Sequence, residues 1–308
     1  MVQSVSNIVY FVSGVVLISL MSCQQQNEQL PAVDQLYKEY QLQPTPERAS
    51  VYLDTLSSFI QKNVSKESLI QPYLINGVQV SMAQGQLSKT PGYILPLLRL
   101  YPDLENRKGF LSDLGDVMYA LRKRHASGII YSELSKSNPN DEGIAQRMTR
   151  VDTAILNHED YLEHLFNQIL INPDQFGVNK EASLKYVDGV EAMALVSPDN
   201  ATVPGHLYRA AEVARSLRTF PKAMSLYDWL IEVYPQHEKA PTALFIKGFI
   251  LEQDYERIDE AREVYSTFLQ NYPNHEMAES ASFLLENLGK SDQEILQAIE
   301  ANRQNQGQ

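Results

Sequence analysis

The chain has 308 residues, 44% of them apolar, with sparse glycine and a formal charge of -12. This composition excludes a fibre and a wholly disordered chain. The charge argues against a nucleic-acid partner, since a protein that grips phosphates carries a basic face. It is unevenly spread: residues 251–300 carry a net of -9 and residues 99–150 a net of +2. Such an asymmetry can steer a charged partner, although both stretches also suit solvated helix faces.

The first element is an apolar run, Ile8 to Leu20, followed by Met21, Ser22 and the only cysteine, Cys23. Thirteen residues are too few for a comfortable membrane span but suit the core of a signal peptide. Leu20-Met21-Ser22-Cys23 resembles the lipobox of bacterial lipoproteins. One departure is that the first seven residues hold no Lys or Arg, where signal peptides are usually basic. The resemblance implies cleavage before Cys23, a diacylglycerol on its sulfur and a second acyl chain. One chain alone would hold only marginally. Residues 1–22 are then a signal peptide and residues 23–46 a lipidated cysteine with a Gln- and Pro-rich tether, with one or two helical turns at most. Gln24 in place of Asp implies the outer membrane, and the absence of an acidic cluster after it implies a periplasmic face. An uncleaved N-terminal anchor is the alternative, and it too holds the protein at a membrane.

The remainder repeats itself. Pro221 to Phe245 aligns without a gap on Asp259 to Phe283 at an offset of 38. The alignment pairs Ala223 with Ala261, Tyr227 with Tyr265, Leu230 with Phe268, and Tyr234-Pro235 with Tyr272-Pro273. Ala223, Tyr227 and Leu230 share one helix face. Tyr-Pro ends that helix, because the residue before proline avoids the helical region. Three units share the spacing small–small–Tyr–Pro. They are Gly115, Ser127, Tyr131, Pro139; Ala211, Ala223, Tyr227, Pro235; and, with one extra residue near Tyr255-Glu256-Arg257, Gly248, Ala261, Tyr265, Pro273. A weaker unit containing Tyr93 ends at Tyr101-Pro102. Residues 140–203 are irregular and read as one long helix near 143–171 and another near 180–196. Residues 278–300 begin a further helix, then offer the capping box Ser291–Glu294 and an end helix, Ile295 to Ala301.

This spacing resembles the tetratricopeptide repeat, a helix–turn–helix unit of about 34 residues. The resemblance is best over 204–290 and implies an all-α, right-handed α-solenoid, with repeats at 47–203 (irregular after 140) and 204–308. Tyr272-Pro273 and the helix after it are similar to periplasmic repeat lipoproteins of the BamD and CpoB/YbgF types. In such repeats the first helix of each pair lines a concave groove. The groove rows are then Ser112, Asp116 and Tyr119; Tyr208, Glu212 and Arg215; and Phe245, Phe249 and Glu252. Each row runs i, i+4, i+7 along one helix face and suits a peptide better than a small molecule.

No catalytic signature is present: there is no G-x-S-x-G, S-x-x-K, P-loop or H-E-x-x-H. No cofactor, metal or enzymatic activity is expected. Asp160 and His164 could share a helix face, but no further ligands stand at useful spacing. His237 and His275 occupy the same turn position in successive units, Arg122 to His125 reads as a solvated turn, and Trp229 as core. The expectation is a lipid-anchored scaffold that binds a periplasmic protein or peptide. The alternative is an outer-membrane lipoprotein that captures a peptide or glycan for an importer.

Overall fold

The computed structural model describes residues 31–297, apart from 65, 152–156, 171–176, 292 and 295. The signal segment 1–22, Cys23 and most of the end helix 295–301 lie outside the described residues. Fourteen α-helices and no strand are found among those described: α1 Ala32–Leu42, α2 Pro46–Lys62, α3 Glu67–Ala83, α4 Pro91–Leu100, α5 Arg107–Ala120, α6 Arg124–Ser137 and α7 Glu142–Met148, then α8 His158–Leu170, α9 Lys180–Val196, α10 Val203–Ser216, α11 Phe220–Val233, α12 Ala240–Gln253, α13 Ile258–Asn271 and α14 Ala278–Asn287. The fold is all-helical.

Proline sets many of the boundaries. Tyr101, Asn138, Ser197, Tyr234 and Tyr272 each cap the end of a helix and each stands directly before a proline. Such a residue is biased to extended backbone, so the helix stops there. The turn inside each pair is also set locally. After α3, α5, α10 and α12 a residue adopts left-handed backbone: Gly85, Arg122, Arg218 and Glu256, with φ between 54° and 65°. The next amide then donates back to the helix, as Lys123 N–H does to the Met118 carbonyl at 2.8 Å and Thr219 N–H to that of Ala214 at 2.9 Å. This is a Schellman closure. In the unit with an extra residue, Arg257 N–H reaches one residue further back, to Leu251, at 2.8 Å.

Packing inside the pairs repeats as well. Ala223, Tyr227 and Leu230, and their aligned partners Ala261, Tyr265 and Phe268, are all fully buried. The small residue of the first helix faces the tyrosine of the second. A Cβ built on Gly77, Gly115 or Gly248 would come within 2.5–2.6 Å of the rings of Tyr93, Tyr131 or Tyr265. These glycines are there because the ring occupies the space a side chain would need. The tyrosines that face these glycines also find partners for their hydroxyls, whereas the hydroxyl of the fully buried Tyr52 has none. Tyr93 donates to the Leu53 carbonyl at 2.7 Å, and Tyr186 lies 2.9 Å from His206 Nδ1.

Two expectations are corrected. Residues 32–42, read as tether, form a three-turn helix whose Val33 and Tyr40 are buried. It is held by Tyr37 packing at a tilt against Tyr52, with centroids 5.1 Å apart, and by Tyr73 donating to Asp34 at 3.1 Å. The single helix read over 143–171 is two, α7 and α8. Asn157, taken as helix interior, instead caps α8: its Oδ1 accepts from the amides of Glu159 and Asp160. An Asn followed by acidic residues is a start signal, and α8 has both Glu159 and Asp160 in its first turn.

The irregular region organises the centre. α9 is buried on nearly all sides, the mark of a helix surrounded by others. α6, α8 and α10 pack on it, whereas α7 packs on α6, so the chain passes from α6 to α9 in space while skipping two helices in sequence. Arg107 ties this centre together, with Nη1 on the Leu98 carbonyl at 2.5 Å and Nη2 on that of Leu195 at 3.1 Å. Arg99 on α4 reaches the Ser225 carbonyl of α11 at 2.9 Å. A straight stack would keep α4 and α11 several helices apart.

Three histidines lie close to this centre. Burial pushes His125 down to about 4, and the same cause lowers His158 and His206. His125 Nε2 lies 2.6 Å from the Lys185 carbonyl, so its neutral form donates there. At His125 the unfolded chain therefore binds more protons than the folded one between about pH 4 and 6.5, and this group's contribution to stability is lost as pH falls through that window. Urea unfolding at pH 7.5 and pH 5 should show the midpoint dropping at the lower pH. His125→Gln, which keeps a donor and cannot titrate, should reduce that drop. Equal drops in the variant and the wild type would remove His125 from the cause.

Candidate functional site

The nine groove residues fall on three first helices, α5, α10 and α12. All are half-buried except Phe249, which is exposed. The structure gives the three carboxylates among them a role that the sequence did not reveal: each accepts a hydrogen bond from the buried tyrosine of its own pair.

On α5, the Tyr131 hydroxyl lies 2.7 Å from Asp116 Oδ1 and 3.0 Å from the Ser112 carbonyl. The other oxygen, Asp116 Oδ2, is gripped by Arg147 of α7 through Nε and Nη2, each at 2.9 Å. Asp113 stands beside them; burial and then the Asp116 charge push its carboxyl up, and Arg147 offsets part of this. Tyr119 has the Arg124 guanidinium 5.8 Å from its ring centroid.

On α10, Tyr227 donates to Glu212, and Arg215 grips the same carboxylate with Nη2 at 2.7 Å and Nε at 3.3 Å. Tyr208 packs 6.4 Å from Tyr227, with Lys239 Nζ 6.0 Å from its ring. On α12, Tyr265 donates to Glu252 Oε2 at 2.9 Å. Phe245 is wedged between Tyr265 and Phe268, with centroids 6.0 and 5.8 Å away, while Phe249 stands 40% exposed. Among the described residues, no cation grips Glu252.

Sequence reasoning therefore placed the carboxylates on the right helices but missed Tyr131, Tyr227, Tyr265 and Arg147 as their partners. The signal was present as a separation of 15 residues for Asp116–Tyr131 and Glu212–Tyr227, and 13 for Glu252–Tyr265. Nothing in the spacing marks Arg147, which arrives from a different helix.

The remaining candidates resolve individually. The run Arg122 to His125 is solvated in part: Arg122 and Arg124 are exposed, whereas Lys123 pairs with Asp188 at 2.6 Å and His125 is buried. The run was misread because its neighbour, α9, is distant in sequence. His237 and His275 do share one role, each accepting through Nδ1 from the amide two residues on, at 3.2 Å. Trp229 is buried. Asp160 accepts from Asn157 and His164 pairs with Gln168, so the two do not face a common ligand. Among the described residues, no group of three or more His, Cys, Asp or Glu could hold a metal ion. Nor is any described helix long and apolar enough to cross a membrane. No protein-family profile matches the chain, and no curated protein matches it.

Proposed function

We propose that this chain is a lipoprotein scaffold built as a right-handed α-solenoid of tetratricopeptide repeats. Lipid on Cys23 anchors it to the outer membrane with its body in the periplasm. The first-helix face binds a protein or peptide there, and positioning rather than chemistry is its contribution. One observation carries the reading. α5, α10 and α12 each present a carboxylate supported by the buried tyrosine of the same pair, with half-buried Tyr119 and Tyr208 and exposed Phe249 on the same helices. Carboxylates held in place by buried hydroxyls are pre-organised, and pre-organised polar groups beside rigid aromatics suit protein recognition.

The test is an affinity purification from membranes of cells making the full chain, comparing wild type with Tyr208→Ala/Phe249→Ala. Phe245 is left intact because it also fills the packing between α12 and α13. A defined protein should co-purify with the wild type and fall roughly tenfold or more with the variant, the loss expected for aromatic anchors. Equal recovery from both would move the site off this face. A parallel Cys23→Ala chain should leave the membrane fraction, and its retention there would remove the lipid anchor from the reading.

A further inference from the structure

The three carboxylates differ in register and in their cations: Asp116 and Glu212 directly follow the small residue of their helix, whereas Glu252 stands one turn further on, four residues after Gly248. Asp116 is gripped by Arg147 from α7, and Glu212 by Arg215 from its own helix, each guanidinium using two nitrogens. Glu252 has the same supporting tyrosine hydroxyl and no guanidinium among the described residues. Its Oε2 is engaged by Tyr265, which leaves Oε1 able to accept. Phe249, three residues earlier on the same helix, is exposed beside it and offers a ring face on which a guanidinium can stack. The surrounding stretch, residues 251–300, carries the net of -9, which draws a cation in.

We infer that Glu252, held by Tyr265 and flanked by Phe249, receives an arginine side chain from a partner protein, completing at the third position the guanidinium–carboxylate–tyrosine arrangement that the chain completes for itself at Asp116 and Glu212. This rests on the scaffold reading and narrows it: the partner segment carries an arginine. Arginine is favoured over lysine because its planar fork can bond a carboxylate and stack on a ring at once.

The full chain in detergent micelles is exposed to two peptide libraries, each of twelve-residue peptides randomised over uncharged residues. One has arginine at a fixed central position and the other has citrulline, which keeps the shape and loses the charge. The wild type should retain the arginine library roughly tenfold or more over the citrulline library, the discrimination expected of a charge-assisted bond. Glu252→Gln should bring the two to parity with an unchanged melting temperature. Tyr265→Phe, which keeps the carboxylate but removes the hydroxyl that holds it, should lower the preference without abolishing it. Equal retention of both libraries by the wild type would overturn the inference, as would a preference that survives Glu252→Gln. An Arg303→Ala chain that gains retention would assign the position to the chain's own terminus and overturn it likewise. If the wild type retains neither library while the membrane purification yields a groove-dependent partner, this inference falls and the scaffold reading stands.

Discussion

Replacing Lys222 with alanine is expected to destabilise the protein by about 2–3 kcal/mol, because it strands a charge at the centre of the fold. The Glu191 side chain is 4% exposed and lies 2.6 Å from Lys222 Nζ. Removing one partner of a fully buried pair costs ~3–5 kcal/mol; Lys222 keeps 36% of its side chain in water, which lowers the figure. Three residues earlier on α9, Asp188 meets Lys123 from the turn before α6 at 2.6 Å. Burial pushes the Asp188 carboxyl up, and Lys123 and then Lys222 offset this. The two lysines thus clasp α9 from helix pairs on either side of it. The double variant Glu191→Leu/Lys222→Met should recover most of the loss or exceed the wild type, since an apolar pair of similar volume often replaces a buried ion pair without cost. Urea unfolding of the three chains measures this. A Lys222→Ala chain within about 0.5 kcal/mol of wild type, the range of ordinary surface substitutions, would show that the pair holds nothing.

That clasp also shows where the sequence stops being legible. The helix pairs were readable because their information is local: a small residue, a tyrosine sixteen or seventeen positions later and a proline beyond it specify two helices and their contact. Helix ends before proline, the turn insertion near Glu256 and the matched roles of His237 and His275 all follow from neighbours within one turn. The centre is not local. α9 reads from sequence only as a helix in an irregular region until α6, α8 and α10 are seen around it, and only then does a buried Glu191 make sense. Lys123 looked like surface charge for the same reason. The candidate site divides in the same way. The positions of Asp116, Glu212 and Glu252 came from the resemblance to the repeat, and their tyrosine partners emerged only once each helix was seen against the second helix of its pair. Arg147 was hidden because the region carrying it was read as one helix and is two.

Truncating Tyr131 to alanine should cost about 3–5 kcal/mol, the usual range for removing a large buried aromatic. The ring is 1% exposed, and the residue it faces, Gly115, has no side chain with which to fill the void. Tyr131→Phe should cost only about 1 kcal/mol, since Asp116 keeps Arg147 and loses one hydrogen bond. The sharper expectation concerns the glycine. In the wild type a Cβ at Gly115 would sit 2.6 Å from Tyr131 Cζ, so Gly115→Ala should destabilise by part of the ~1–3 kcal/mol typical of overpacking, offset by about 1 kcal/mol of better helix propensity. In the Tyr131→Ala background the obstruction is gone, and the same substitution should stabilise, through propensity and by filling space. A change of sign between backgrounds is a coupling that independent sites do not show. Ala211 against Tyr227 is the natural counterpart, with both residues fully buried. There the pair accommodates alanine beside an intact ring. If Gly115→Ala destabilises equally in both backgrounds, the ring is not what excludes a side chain at that position, and the shared logic of the helix pairs fails at its central contact.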